Sequence, residues 1–115
     1  MDSKELALSA AGVLRQKKGL DIVVLDIAEK SSFADFLVIA AGNSVRQTGS
    51  LADDVEKALS ECGATLGHIE GKPESGWILL DYGDVIVNIF TNTQRDLYRI
   101  EQIWSDGNRI EVQEV

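Results

Sequence analysis

The amino-acid sequence predicts a single domain of the α/β class, with a mixed five-stranded sheet and helices packed on it. Three segments carry apolar residues at helical spacing, apolar runs of strand length lie between them, and residues 76–90 have the pattern of a β-hairpin. The predicted order is α-β-β-α-β-β-β-α. At 115 residues the chain has a common single-domain size. We assign residues 1–106 to the domain and residues 107–115 to a polar tail, which forms a short strand or frays.

The first predicted helix follows Asp2. Asp2 and Glu5 have the spacing of a helix-start pair, in which side chains bind early backbone N–H groups. Lys17 and Lys18 favour the negative end of the helix dipole, and Gly19 is placed to end the helix. The apolar residues at helical spacing between these ends are Leu6, Ala10, Val13 and Leu14.

Strands one and two are predicted at residues 21–27 and 35–41, and a second helix follows them. Both strands are apolar on both faces, which is typical of strands inside a sheet that helices cover. Ser44 is a good N-cap for the second helix, Gln47 completes a capping box, and Gly63 is placed to end the helix. The expected apolar face of this helix comprises Leu51, Val55, Ala58, Leu59 and Cys62.

The second half of the chain predicts three more strands and a last helix. Strand three lies within residues 65–70, and a loop at residues 71–76 contains the only proline. Strands four and five form the hairpin, which folds back at Tyr82–Gly83. The last helix is capped by Thr91 or Thr93. Its apolar residues are Leu97, Ile100, Ile103 and Trp104.

The charge balance of the chain excludes one class of function. The sequence has 11 Lys and Arg residues against 19 Asp and Glu residues, which gives a net charge of −8. Nucleic-acid binding depends on Lys and Arg side chains that neutralise phosphates, so direct binding of DNA or RNA is not expected. A chain this acidic suits a partner with a basic surface, such as a ribosomal protein.

The sequence gives no basis for a disulfide, a zinc site or a membrane anchor. Cys62 is the only cysteine and His68 the only histidine, so these residue types cannot form an intrachain disulfide or a four-ligand zinc site. We expect Cys62 to pack as a small hydrophobic residue. The N-terminus lacks a signal-peptide pattern, and the apolar runs are far shorter than the ~20 residues of a membrane helix. The sequence thus predicts a soluble cytoplasmic protein without cofactors.

The hairpin carries the strongest indication of function. Alternation places Trp77, Leu79 and Asp81 on one face of strand four. It places Ile78 and Leu80 on the other face. A face with a carboxylate is expected to meet solvent or a partner, which favours Trp77 as an aromatic anchor in a protein interface. The alternative is a core tryptophan, since large aromatic side chains dominate cores as well.

Asp81 and Asp84 flank the hairpin turn. As a catalytic pair they would need a nucleophile, a base or a metal cluster nearby, and the sequence supplies none. Aspartate is also common at hairpin ends because it suits turn geometry. We therefore interpret Asp81 and Asp84 as charges that face Lys and Arg side chains of a partner, where they contribute steering and specificity.

An enzymatic alternative involves the turn at residues 42–44. A Gly-Asn-Ser turn at a helix start can hold a phosphate, because N-terminal amides favour anions. A nucleotidyltransferase would also need a carboxylate pair for Mg²⁺. Asp53 and Asp54 are adjacent in the predicted helix and point about 100° apart. The next strand offers only Glu70. The capping role of Ser44 alone accounts for the turn.

Taken together, these segments resemble the ribosomal silencing factor family, also called the Iojap family. The resemblance extends from about residue 6 to residue 106 without large gaps. Its most specific part is the combination of Gly-Asn-Ser-x-Arg-Gln at residues 42–47 with Trp-x-Leu-Leu-Asp-Tyr-Gly-Asp at residues 77–84. The matching residues are Asp21–Asp26, Ala34–Phe36, Ala41–Gln47, Glu70–Gly71, Trp77–Val87, Arg95, Tyr98, Glu101 and Trp104.

The resemblance implies a nucleotidyltransferase-like fold without known catalysis. It also implies binding to the large ribosomal subunit through its basic protein fourteen, which blocks joining of the small subunit and lowers translation when nutrients are scarce. On this basis we expect a partner-binding site and no catalytic, cofactor or metal site; a homodimeric adaptor remains open. The residues expected to contact the partner are Trp77, Leu79, Asp81, Asp84, Tyr98 and Glu101.

Asn88 is the main departure from the family pattern. The resemblance implies a histidine in the last strand, in a Val-x-Val-His-x-Phe context, and this chain has Asn88 there. Both side chains form hydrogen bonds, so a structural role is compatible with asparagine. A role that depends on protonation of a histidine is not. The segment Thr91–Gln94 is also more neutral than the family pattern implies.

Overall fold

The computed structural model describes residues 2–29, 31, 32, 34–91 and 108–110. The helix predicted after Thr91, with its residues Tyr98 and Glu101, lies outside the described residues. The elements in chain order are α1 (Ser3–Gln16), β1 (Leu20–Asp26), β2 (Phe36–Gly42), α2 (Val45–Glu61), β3 (His68–Glu70), a 3₁₀ turn (Pro73–Ser75), β4 (Trp77–Asp81), β5 (Val85–Thr91) and β6 (Asn108–Ile110).

The strands form one mixed sheet in the order β3-β4-β5-β2-β1-β6. Strands β2 and β5 pair in parallel at the centre, and the other neighbours pair antiparallel. The predicted α/β class is therefore confirmed, with all five predicted strands present. Strand β6 adds a sixth at the β1 edge, which is the short strand that the sequence allowed within residues 107–115.

Apolar side chains are buried on both faces of the central strands, as expected for β1 and β2. Helices α1 and α2 pack on one face, where the core includes Val38, Leu80 and Val87. A second cluster on the other face includes Ile39 and Phe90, with Trp77 packed against its edge. The surface of β4 that carries Trp77 is thus the one opposite the helices.

The ends of the helices follow the sequence signals with one correction. Asp2 accepts a hydrogen bond from the Glu5 amide, which confirms the predicted start of α1. Gly19 was expected to end α1, but Lys18 adopts the left-handed conformation (φ 68°). The Lys18 carbonyl accepts a hydrogen bond from Gln47 Nε2 (3.2 Å), which helps to hold this conformation. Gly19 instead allows the chain to pass close to the last turn of α1, since a Cβ there would lie 2.9 Å from the Leu14 carbonyl oxygen.

The C-terminus of α2 confirms Gly63 and corrects Cys62. Gly63 has φ 90° and follows the capping residue of the helix, as predicted for a C-terminal glycine. Cys62 is exposed and does not pack in the core. The reason is that the helix ends at Glu61, so Cys62 is the capping residue and its side chain does not continue the apolar face of Leu51, Val55 and Leu59.

Candidate partner-binding surface

The register of β4 and β5 builds a surface that we call the hairpin face. It comprises Trp77, Leu79, Asp81, Ile86, Asn88 and Phe90. Trp77, Leu79 and Asp81 are partly exposed, whereas Ile78 and Leu80 on the opposite side are 4% and 0% exposed. The alternation expected from the sequence is therefore present. It makes an aromatic, an aliphatic and a carboxylate side chain available on one side of one strand.

Trp77 is held in place by two neighbours on β5. Its indole ring stacks on Phe90 with the ring centroids 5.4 Å apart and the planes inclined by 18°. Its Nε1–H donates a hydrogen bond to Asn88 Oδ1 at 3.1 Å. Stacking and the hydrogen bond fix the orientation of a side chain that is still partly exposed. Such a side chain suits an interface, because little of its conformational entropy remains to be lost on binding.

One hydrogen-bonding group of the Asn88 side chain is unsatisfied within the described residues. The side chain is 2% exposed, and its Nδ2 group has no hydrogen-bond partner among the residues that the structure describes. Because the indole N–H can only donate, the Asn88 oxygen must face Trp77 and the amide nitrogen must point elsewhere. A buried donor without a partner is destabilising by about 1–3 kcal/mol. The orientation of Trp77 is thus supported by a residue that is itself not fully satisfied.

Neither Phe90 nor Asn88 was among the predicted site residues. The signal that points to them is the hairpin register, but the turn lies one residue later than predicted. Tyr82 pairs with Val85 around Gly83–Asp84 rather than folding back at Tyr82–Gly83, which sets Trp77 opposite Phe90 and Leu79 opposite Asn88. In an antiparallel pair, such opposite residues lie on one face with their side chains in contact. A register drawn around Tyr82–Gly83 would instead set Trp77 opposite Asn88 and Leu79 opposite Ile86, so it identifies Asn88 but not Phe90.

Asp81 ends β4, whereas Asp84 lies within the turn rather than flanking it as predicted, and both also support local structure. The Asp81 carboxylate accepts a hydrogen bond from the Gly83 amide at 2.8 Å. The Asp84 backbone carbonyl accepts from the amides of Asp35 (2.7 Å) and Phe36 (3.0 Å), which ties the turn to the start of β2. Asp84 is exposed at the turn, so the structure brings Asp81 but not Asp84 onto the hairpin face.

A small cavity adjoins Trp77 on the side of β3. Its volume is about 180 Å³, and it is lined by Glu70, Gly71, Ser75, Trp77 and Leu79. The Glu70 carboxylate lies 3.0 Å from His68 Nε2, and both of these side chains are more than half exposed. Glu70 pairs across the strands with Leu79, so its carboxylate borders the same face as Trp77.

The turn at residues 42–44 uses its polar groups for capping. Ser44 Oγ accepts from the Gln47 amide at 3.1 Å, which confirms Ser44 as the N-cap. The Gln47 side chain accepts a hydrogen bond from the Asn43 amide. In the predicted capping box it would bind the amide of Ser44, one residue later. Gly42 packs against α2, where a Cβ would lie 2.7 Å from Thr48 Oγ1. Across the described part of the chain, no three His, Cys, Asp or Glu residues are grouped to hold a metal ion.

Tyr82 places a buried hydroxyl under the hairpin turn, on the side of the helices. The oxygen is inaccessible to solvent and has no hydrogen-bond partner within the described ranges. Burial, together with the nearby Glu56 carboxylate, raises the pKa of Tyr82 to about 12. The neutral phenol is thus favoured over the phenolate in the folded protein.

We expect Tyr82→Phe to reduce the loss of stability at alkaline pH. Tyr82 titrates near 10.0 when unfolded and near 12 when folded, so the unfolded chain releases the proton first. The free energy of unfolding should therefore fall as the pH rises above about 10, and this fall should end above about 12. Denaturant unfolding of both proteins between about pH 9 and 12 measures the difference. Equal pH slopes for the two proteins would contradict the assignment.

Comparison with known proteins decides the family. A family model described as "Ribosomal silencing factor during starvation" matches residues 1–115. The chain belongs to the ribosomal silencing factor family. A ribosomal silencing factor of Halalkalibacterium halodurans is 33% identical over 115 residues, which cover 100% of this chain and 98% of that protein. The resemblance drawn from the motifs at residues 42–47 and 77–84 is confirmed.

A solved structure shows the same fold for this chain. A crystal structure of a Chromobacterium violaceum protein superimposes with a TM-score of 0.88 at 33% identity, over 100% of this chain and 95% of that one. A mouse relative named "mitochondrial assembly of ribosomal large subunit protein 1" is 25% identical over 96 residues, covering 81% of this chain and 42% of that protein. In the described part of the chain, no helix has the length and apolar character to cross a membrane.

Proposed function

We propose that this silencing factor represses translation by binding the large ribosomal subunit and excluding the small subunit. The proposed contact is the basic protein fourteen of the large subunit, reached through the hairpin face. The observation that carries the proposal is Trp77, a partly exposed indole held in a fixed orientation beside carboxylates, in a chain of the ribosomal silencing factor family. The mouse relative is named for assembly of the large subunit, which supports that subunit as the partner.

In this mechanism the hairpin face and the adjoining turn, which carries Asp84, supply contact area and charge. Trp77 and Leu79 provide apolar contact, and Asp81 and Asp84 face Lys or Arg side chains of the partner. We include Tyr98 and Glu101 in the proposed site from the sequence. The net charge of −8 favours approach to a basic protein and opposes contact with ribosomal RNA, which orients the factor on the subunit.

Steric exclusion requires affinity and position but no chemical step. A standard interface buries about 800 Å² on each partner, and the chain has an accessible surface of 6562 Å². About an eighth of the accessible surface is therefore enough for binding. The rest of the bound protein then occupies the volume that the small subunit would take. We accordingly propose a non-enzymatic role, in the cytoplasm where ribosomes assemble.

Co-sedimentation with isolated ribosomal subunits tests this function. The purified protein should pellet with large subunits and not with small ones, and it should lower the yield of joined ribosomes when both are mixed. Asp81→Asn is the informative site variant, since it removes the charge and keeps an oxygen for the Gly83 amide. It should weaken pelleting without unfolding the hairpin. Failure of the folded wild-type protein to pellet with large subunits would contradict the proposal.

A further inference from the structure

We propose that the cavity beside Trp77 is a subsite for one lysine or arginine side chain of the partner protein, with Glu70 as its counter-charge. This inference rests on the proposed function, because it specifies what the hairpin face recognises. The cavity is lined by Glu70, Gly71, Ser75, Trp77 and Leu79. It extends the site to β3, beyond the residues that the sequence indicated.

The size of the cavity points to a single side chain. Its volume is about 180 Å³, whereas pockets for cofactors and drug-sized ligands measure about 300–1,000 Å³. Its lining includes Glu70 of β3 and Trp77 of β4, while Phe90, which stacks on Trp77, belongs to β5 on the other side of β4. A side chain that enters the cavity would therefore contact a residue that Phe90 holds in place.

The lining of the cavity matches an amphipathic cation. Trp77 and Leu79 form an apolar wall for the aliphatic stem of a lysine or arginine, and Glu70 provides a carboxylate for its charged end. An indole face also attracts a cation by about 0.5–2 kcal/mol, depending on how far the cation is desolvated. An acidic side chain would be repelled by Glu70, and a purely apolar one would gain no attraction from its carboxylate.

Glu70 is available for such a contact. Its side chain is 67% exposed, and its hydrogen-bonded contact with His68 is exposed as well. Exposed pairs of this kind contribute about 0–1 kcal/mol, so a partner's cation can replace His68 at little loss. Asp81 lies opposite His68 on the neighbouring strand and adds a second carboxylate to this face. Lys72 follows in the adjoining loop but is not among the residues that line the cavity.

The test compares Glu70→Gln with Glu74→Gln in binding to purified large subunits. Both changes remove one exposed carboxylate from the same β3–β4 connection region, but Glu74 does not line the cavity. We expect Glu70→Gln to weaken binding about tenfold, as for loss of a hydrogen bond to a charged group. Glu74→Gln should change affinity less than about twofold, because it removes only long-range attraction. The salt dependence of binding should also become shallower for Glu70→Gln.

The outcomes separate this inference from the proposed function. If the wild-type protein binds large subunits, Trp77→Ala weakens binding, and the two glutamate variants behave alike, the subsite is overturned while the function stands. If the wild-type protein fails to bind large subunits, both are overturned. A selective loss for Glu70→Gln supports the subsite directly.

Discussion

Replacing Trp77 by alanine is expected to weaken binding to the large ribosomal subunit by about 2 kcal/mol or more, which is roughly thirtyfold in affinity. The indole is partly exposed, stacked on Phe90 and hydrogen-bonded to Asn88. Its removal takes away the apolar centre of the hairpin face and one wall of the adjoining cavity. Tryptophan residues held in this way are frequent among the few side chains that dominate an interface.

The measurement needs a control for folding, because Trp77 also packs against the second core cluster. Ile78→Val is a matched variant, since Ile78 is the next residue on β4 but is buried on the opposite face. It should lower the free energy of unfolding by about 0.5–1.5 kcal/mol and leave the affinity of the folded protein unchanged. Binding is measured by co-sedimentation and folding by denaturant unfolding. Normal affinity of folded Trp77→Ala would make Trp77 a packing residue only.

The sequence predicted the elements that depend on local signals. The caps at Asp2 and Ser44 were identified because each side-chain oxygen binds the amide only three residues later, which is a local arrangement. The alternation along β4 was identified because each strand residue points to the face opposite its neighbour. These signals were sufficient for the class of the fold and for the side of β4 that carries Trp77.

Other features depend on contacts that a linear pattern does not contain. Lys18 takes the left-handed position at the end of α1, and the Gln47 side chain, 29 residues later, binds its carbonyl. Cys62 fits an apolar helical face by spacing, but the helix ends before it. The cavity beside Trp77 requires β3 next to β4, and only the sheet order brings Glu70 there.

Gly71→Ala is expected to produce the largest loss of stability among substitutions near the hairpin face. Gly71 has φ 83°, and a Cβ on it would lie only 2.1 Å from the Trp77 carbonyl oxygen. Because that neighbour is backbone, the strand itself must shift to make room. Left-handed strain of about 1–2 kcal/mol and overpacking of about 1–3 kcal/mol together predict a loss of roughly 2–5 kcal/mol in the free energy of unfolding.

Gly83→Ala provides the matched control for this prediction, because Gly83 has φ 89° and a Cβ there would have no atom of the described residues within 4 Å. This variant should lower the free energy of unfolding by the left-handed strain alone, about 1–2 kcal/mol. The difference between the two variants in denaturant unfolding isolates the contact with Trp77. Equal losses would mean that the loop at Gly71 yields without moving β4. If the losses differ as expected, folded Gly71→Ala should also bind the large subunit less tightly than Gly83→Ala, because the displaced strand carries the indole.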